Sequence, residues 1–336
     1  MTLSPTTSRS SAAILLSLVI ALAGLTLVAE SDDGGEPEAA RSTLVGPAID
    51  SAFWRHWGDG QAEVAGYELD FPRYGTVRKG GTAVTIFVTE TFSSSARVKA
   101  DPGRHPDADT FPVLKLNLIQ DFQTGVYDYN TMLSSFVALA PVNGRATGEA
   151  TKVSYASQEW CGHVYQQLLF DPGKVRSTRH SYFDGEADSA EAMATPAGAI
   201  SEDALWHWAR GLAAPALEPG ESVTLPVLRS LERVRLDHRP LEHETATLSV
   251  KKGTRKLTVP AGEFEVVTKT AALPGRTWTF EVEAKPPHRL VAWSSSLGHA
   301  ARLRGSKRMK YWALNGPGGA AALKAIGLTP PGSKSK

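Results

Sequence analysis

The chain has 336 residues, 42% hydrophobic and 21% charged, with 36 lysines and arginines against 35 aspartates and glutamates. That balance excludes the strongly basic character of a nucleic-acid-binding protein, and the apolar content excludes a disordered chain. A single cysteine, Cys161, excludes an internal disulfide, so stability must come from a buried core.

The first element is an uncharged apolar run from Ala12 to Ala29, preceded by Arg9 and followed by Glu30, Asp32, Asp33, Glu36 and Glu38. A basic start, an apolar centre and an acidic exit predict export, to the periplasm or outside the cell. Residues 1–29 are then either a cleaved signal peptide or a retained anchor. The run is longer than the usual secretory segment of roughly 7–15 residues and approaches the roughly 20 needed to span a bilayer. Ala29 suits a cleavage site, whereas Leu27 occupies a place where a small residue is preferred. No cysteine near the run's end allows a lipid anchor. Membrane contact through residues 12–29 follows only if the signal is uncleaved.

Residues 30–48 lack periodicity and read as a flexible linker. From 49 to 315 the dominant period is two. Val84, Ile86 and Val88 alternate with Thr85, Phe87 and Thr89; Leu114, Leu116 and Leu118 alternate with Lys115 and Asn117; Trp278, Phe280 and Val282 alternate with Thr277, Thr279 and Glu281. Each pattern predicts a strand with one buried face. The absence of strand–helix alternation excludes a parallel α/β sheet. The predicted fold is mainly β: a large curved antiparallel sheet or half-barrel with one short helix.

That helix is expected from Ser201, a cap, through Glu202 and Asp203 in the first turn, to Leu205, Trp208 and Leu212 on one face. It separates possible halves at 49–200 and 220–315. A hairpin is expected over 255–267 around Pro260 and Gly262, and a turn at Asp184-Gly185. Residues 316–336, rich in glycine and proline, read as a mobile tail interrupted by a short helix near 320–326.

The densest polar and aromatic cluster is Gln158-Glu-Trp-Cys-Gly-His-Val-Tyr-Gln-Gln167. Taken as a strand, it places Glu159, Cys161, His163 and Tyr165 on one face at spacings of roughly 7 Å. That is too far for a thiolate and imidazole to pair unless the strand bends at Gly162. Cys161, His163 and Glu159 are the catalytic candidates, set against a half-buried polar stripe in which Cys161 is a small hydrophobe. Asp184, Glu186 and Asp188 alternate beside His180 but lack the later glutamate of a calcium loop, so a solvated turn and no metal site are expected. Arg302, Arg304, Arg308 and Lys310 share a parity with Trp312, a stripe suited to phosphates or anionic headgroups, or to guarding a sheet edge. Trp160, Tyr165 and His180 join Arg302, Arg304 and Arg308 as ligand-binding candidates. No G-x-S-x-G, H-E-x-x-H, Walker or G-x-G-x-x-G pattern occurs, and no cofactor is expected.

Phe53-Trp54, Arg73-Tyr-Gly-Thr-Val-Arg78, Ala83-Val-Thr-Ile-Phe-Val-Thr-Glu90, Gln158-Glu-Trp-Cys-Gly-His163, His180-Ser-Tyr-Phe183, Val259-Pro-Ala-Gly-Glu-Phe264 and Pro287-His-Arg-Leu-Val-Ala-Trp293 resemble a family of uncharacterised exported bacterial β-rich proteins. The resemblance covers most of residues 50–312 and implies a curved β-domain, with no activity to transfer. Some relatives carry the label septum formation inhibitor Maf. That family's phosphate-binding Ser-x-Arg-Arg start is absent here, so the label is not carried over. The expectation is a non-enzymatic cell-envelope protein whose concave face holds an apolar or amphiphilic ligand, a lipid or an envelope glycan, or a protein partner. The alternative is an envelope enzyme using Cys161 and His163.

Overall fold

The computed structural model describes residues 44–330, so the apolar run, most of the linker and residues 331–336 lie outside the described residues. One curved sheet of 16 strands dominates. Its first arm is a meander of β1 (Ala62–Arg73), β2 (Thr76–Ser93), β3 (Thr110–Thr124), β4 (Tyr127–Ala138), β5 (Ala150–Glu159), β6 (Gly162–Asp171), β7 (Lys174–Ser181) and β8 (Ser189–Ala194). The second arm comprises β9 (Ile200–Ser201), β10 (Ser222–Leu228), β11 (His243–Val250), β12 (Arg255–Val259), β13 (Gly262–Leu273), β14 (Arg276–Glu283), β15 (Leu290–Ser295) and β16 (Ala300–Met309).

The arms join where β1 pairs antiparallel with β16, and the path ends at β8 on one side and β9 on the other. Those edges do not pair, so the barrel stays open, although only residues 195–199 separate them along the chain. Every named pair is antiparallel except β9–β10, and β12 pairs only with β13 through the expected hairpin, Val259 opposite Gly262.

Leu114, Leu116 and Leu118, with Trp278, Phe280 and Val282, enter the main core as their alternation requires. On β2 the expected faces are exchanged. Ala83 and Phe87 point into the core, whereas Ile86 and Val88 belong to a second cluster on the outer surface. That surface is covered by a 3₁₀ helix, Gly319–Ile326, whose Ile326 is buried against it. Two glycines permit the docking. A Cβ at Gly66 would lie 2.4 Å from the Ile326 carbonyl oxygen, and one at Gly305 would lie 2.9 Å from its carbonyl carbon. The short helix expected near 320–326 is therefore a fixed cover for β1 and β2.

Three short α-helices are present among the described residues, where one was expected: α1 (Ser51–Trp57), α2 (Leu205–Ala209) and α3 (Leu231–Leu236). Asp50 caps α1 by accepting from the Ala52 and Phe53 amides, and Ser230 caps α3 by accepting from Arg233. Ser201 caps a 3₁₀ turn, Glu202–Ala204, that leads into α2. All five residues of α2 are buried, because it lies inside the hollow of the sheet. Trp206 meets Trp278, Phe280 and Trp293 edge to face, with centroids 5.3, 5.6 and 6.2 Å away. The chain thus fills most of its own barrel.

Two ion pairs inside the hollow are closely hydrogen-bonded, whereas Trp206 Nε1 and both ring nitrogens of His207 on α2 are buried without partners. Glu202, fully buried, accepts from Arg276 Nε at 2.9 Å, Arg276 Nη2 at 2.5 Å, Trp278 Nε1 at 2.9 Å and the Ser230 amide at 2.9 Å. Arg210, just beyond α2, donates two hydrogen bonds to Glu63 of β1 at 2.6 and 3.1 Å. Ile326→Ala should lower stability by about 2–3 kcal/mol through lost burial on the outer cluster. Urea unfolding checks this: an unchanged midpoint would show that the helix adds nothing to the domain.

Candidate functional site

Helix α3 lies across one end of the hollow, and beside it remains a cavity of about 560 Å³. Its wall is assembled from distant parts of the chain: the β1–β2 turn, the β5–β6 turn, Phe183, α3, the start of β14 and the β15–β16 turn. The volume falls within the range of small-molecule sites, roughly 300–1,000 Å³.

One charged group on this wall is a deeply buried ion pair. Arg235 Nη2 donates to Glu159 Oε1 at 2.8 Å, and the two side chains are only 3% and 2% exposed. The Arg235 guanidinium centre lies 3.7 Å from the Phe183 ring centroid, a cation–π contact. Arg235 Nε and Nη1, and Glu159 Oε2, are buried without hydrogen-bond partners. Each unspent group of this kind costs about 1–3 kcal/mol. Such a cost is tolerated where function requires the groups.

A second group lines the same space. His299 Nε2 and Gln120 Oε1 are 2.8 Å apart, and Gln120 Nε2 donates to Glu232 Oε2 at 2.8 Å. The amide therefore fixes the tautomer: His299 carries its proton on Nε2, and its Nδ1 is a buried acceptor without a partner. Burial holds the imidazole at a pKa of about 3, so it stays neutral. Glu232 is half-buried as a residue but its carboxyl is enclosed. Burial, opposed by the Gln120 hydrogen bond and assisted by the negative charge of Glu202, pushes that carboxyl up to about 7.

At the rim, Arg73 donates to the Leu236 carbonyl at 2.8 Å and to the Tyr129 hydroxyl at 3.3 Å, while the Tyr74 and Tyr129 hydroxyls lie 2.7 Å apart. Phe71, Phe122 and Tyr129 stack behind them with centroids 4.1 and 4.9 Å apart. Burial and the Glu159 carboxylate push the Tyr129 phenol upward, against the pull of Arg73.

The Gln158–His163 segment is a turn, which corrects the strand expected through it. Glu159 ends β5 opposite Gly162, which opens β6, and Trp160 and Cys161 form the loop. A two-residue turn reverses parity, so Glu159 points inward while His163, opposite Gln158, is exposed on the outer face. Cys161 is exposed and lines the cavity, as does Glu159; His163 does not. Tyr165 and His180 are cross-strand neighbours on the outer face, His180 lying 3.3 Å from Asp188. Trp160 stands on the turn, 70% exposed, with Nε1 donating to Asp128 at 2.9 Å and its ring stacked on Tyr127.

The basic stripe on β16 does not form. A bulge pairs Gly66 with Gly305 and Tyr67 with Leu303, leaving Arg304 unmatched and switching the parity beyond it. Arg302 is bound by Glu68 and Asp70, and Arg308 by Asp59 and the His56 carbonyl. Among the described residues, no three His, Cys, Asp or Glu side chains are grouped to hold a metal ion. Residues that sequence reasoning did not single out as site candidates, Arg73, Phe183, Glu232, Arg235 and His299, come from four separate elements or turns, Glu232 and Arg235 sharing α3.

No family model matches the chain, and no curated protein matches it. Among solved structures it is similar to a beta-barrel-like protein of domain of unknown function DUF1849 from Brucella abortus. The two are 11% identical, with 74% of this chain and 96% of that chain covered at a TM-score of 0.40. The fold assignment rests on the observed sheet.

Arg235→Met, which leaves Glu159 charged and uncompensated, should cost about 3–5 kcal/mol, and the double variant Arg235→Met/Glu159→Leu should recover most of it. Urea midpoints of the three proteins measure this; no recovery would place the cost in packing. Between pH 4.5 and about 7 the folded chain holds a proton on Glu232 that the unfolded chain has released. Its contribution to stability therefore falls as pH rises through that window. Glu232→Gln should remove the slope and raise stability at pH 8 by about 1–3 kcal/mol, read from denaturation at several pH values.

Proposed function

We propose that this chain is a ligand-binding β-domain of the cell envelope, working outside the cytoplasm and seating a small amphiphilic molecule in the cavity beside α3. The observation that carries the reading is the cavity itself: a roomy space whose wall combines aromatic rings with a buried ion pair only partly hydrogen-bonded. Core-forming ion pairs are normally satisfied on all sides, as Glu202 is here. The export pattern of residues 1–29 supports the location.

A long apolar ligand running through the barrel suits this architecture poorly, because α2 and its tryptophans occupy the hollow. A ligand confined to one end, part ring and part polar, suits it well. The enzyme reading through Cys161 and His163 gains no support from a thiol at the cavity rim and an imidazole on the outer face.

Native mass spectrometry of the full chain, isolated from an exporting host, tests the proposal. The expected result is a stoichiometric small molecule that is released on denaturation and missing from Arg235→Met/Glu159→Leu. Equal retention by that variant, or repeated isolation with nothing bound, would overturn it.

A further inference from the structure

We infer that the outer face of the sheet beside the 3₁₀ helix Gly319–Ile326 docks on an anionic lipid bilayer. The site lies across the sheet from the cavity beside α3 and does not depend on it. Between the helix and the sheet runs an open groove of about 440 Å³. Val64, Ile86 and Met309 line it from the strands, Leu323 and Ile326 from the helix, and Leu314, 41% exposed, from the intervening loop. Of the residues that line it, only Tyr311 and Asn315 have polar side chains. Trp312 stands next in the chain, 46% exposed, its ring edge-on to Tyr311 at a centroid distance of 5.3 Å. Tryptophan and tyrosine beside apolar side chains are favoured where a membrane meets water. An exposed apolar surface that continues over several neighbours marks an interaction site.

Charge selects the partner. Lys307 stands directly opposite Val64 in the β1–β16 ladder, so its side chain leaves the sheet on the groove side. Arg304 abuts the end of the helix: a Cβ at Gly327 would lie 2.6 Å from the Arg304 Cβ. Lys310 sits between Met309 and Tyr311, and Lys324 follows Leu323 on the helix. All four are exposed, and among the described residues none of these side chains has an ion pair or hydrogen bond. The acids around them are already matched: Glu68 and Asp70 by Arg302, Asp59 by Arg308, Glu90 by Lys115. The face thus offers unmatched positive charge around an apolar groove, the complement of anionic headgroups above acyl chains. Lys334 and Lys336 continue the charge in the sequence that follows. A second copy of the chain fits poorly, because a two-fold contact would set these cations against their own kind. The apolar run Ala12 to Ala29 carries no charge and would leave the cations unanswered.

Hydrogen exchange of the full chain, read by mass spectrometry over residues 310–325, tests this. The probes are vesicles of phosphatidylglycerol and phosphatidylcholine in equal parts, and vesicles of phosphatidylcholine alone. Residues 12–29, where retained, attach to both alike, so the comparison between the two isolates the face. The anionic vesicles should slow exchange over this segment by about tenfold, and the neutral ones should not. The protection should vanish in Lys307→Glu/Lys310→Glu and weaken in Trp312→Ala. These substitutions alter exposed side chains only, so unfolding temperatures should match that of the parent. Equal protection by both vesicles, protection by neither, or protection kept in both variants overturns the inference. Protection that appears without vesicles and grows with protein concentration puts a second copy on the face and overturns it too.

Discussion

A carboxylate removed from water must find hydrogen-bond donors inside the protein, and Glu202 finds four of them on three residues of two elements. Two come from Arg276 of β14, one from Trp278 of the same strand, and one from the backbone where α3 begins. Breaking such a pair leaves a buried charge unanswered, so the geometry has few alternatives. The 3₁₀ turn leading into α2, the sheet wall and the cap of α3 are thereby locked together. Arg276 carries the network outward to Glu244, and Glu244 to Arg229, so the second arm of the sheet is tied to the same point.

This anchoring decides how the hollow is filled. With α2 held inside it, the tryptophans occupy its centre, and a cavity of about 560 Å³ remains at the end that α3 crosses. Two kinds of buried polar group result. Glu202 is satisfied on every side and serves the fold. Glu159 and Arg235 are equally buried but hold unspent atoms, so the two pairs within one hollow differ in how fully they are hydrogen-bonded.

Much of the fold was legible in the sequence, because strands with one wet face declare themselves by alternation. Leu114 to Leu118 and Trp278 to Val282 are oriented as their periodicity requires. The hairpin at Pro260 was legible from turn chemistry alone. Alternation fails where both faces are covered: on β2 the valines and isoleucine lie under a helix more than two hundred positions away, which no local pattern announces. It fails again at Gln158–His163, where a two-residue turn preserves the apparent period and reverses the face. Helix α3 is too short for a periodicity to be seen. Of the residues lining the candidate cavity, the sequence singled out Glu159 and Cys161 as site candidates. Arg73, Arg235 and His299 are far apart in sequence and meet on one wall only because the sheet curves.

The two-armed meander also governs how the chain reaches this shape. Within each arm, nearly every strand pairs with its neighbour in sequence, so each hairpin closes a short loop at little entropic cost. The junction is different, since it pairs Ala62 with Met309 and Asp70 with Ala300. Long-range pairings of this kind are slow because chain entropy must be surrendered before any contact rewards it. The β1–β16 seam therefore closes the longest loop of any strand pairing in the described sheet. The seam is also covered by Ile326 and its helix, so the final stretch of the described chain fastens a joint that the earlier strands have already brought together.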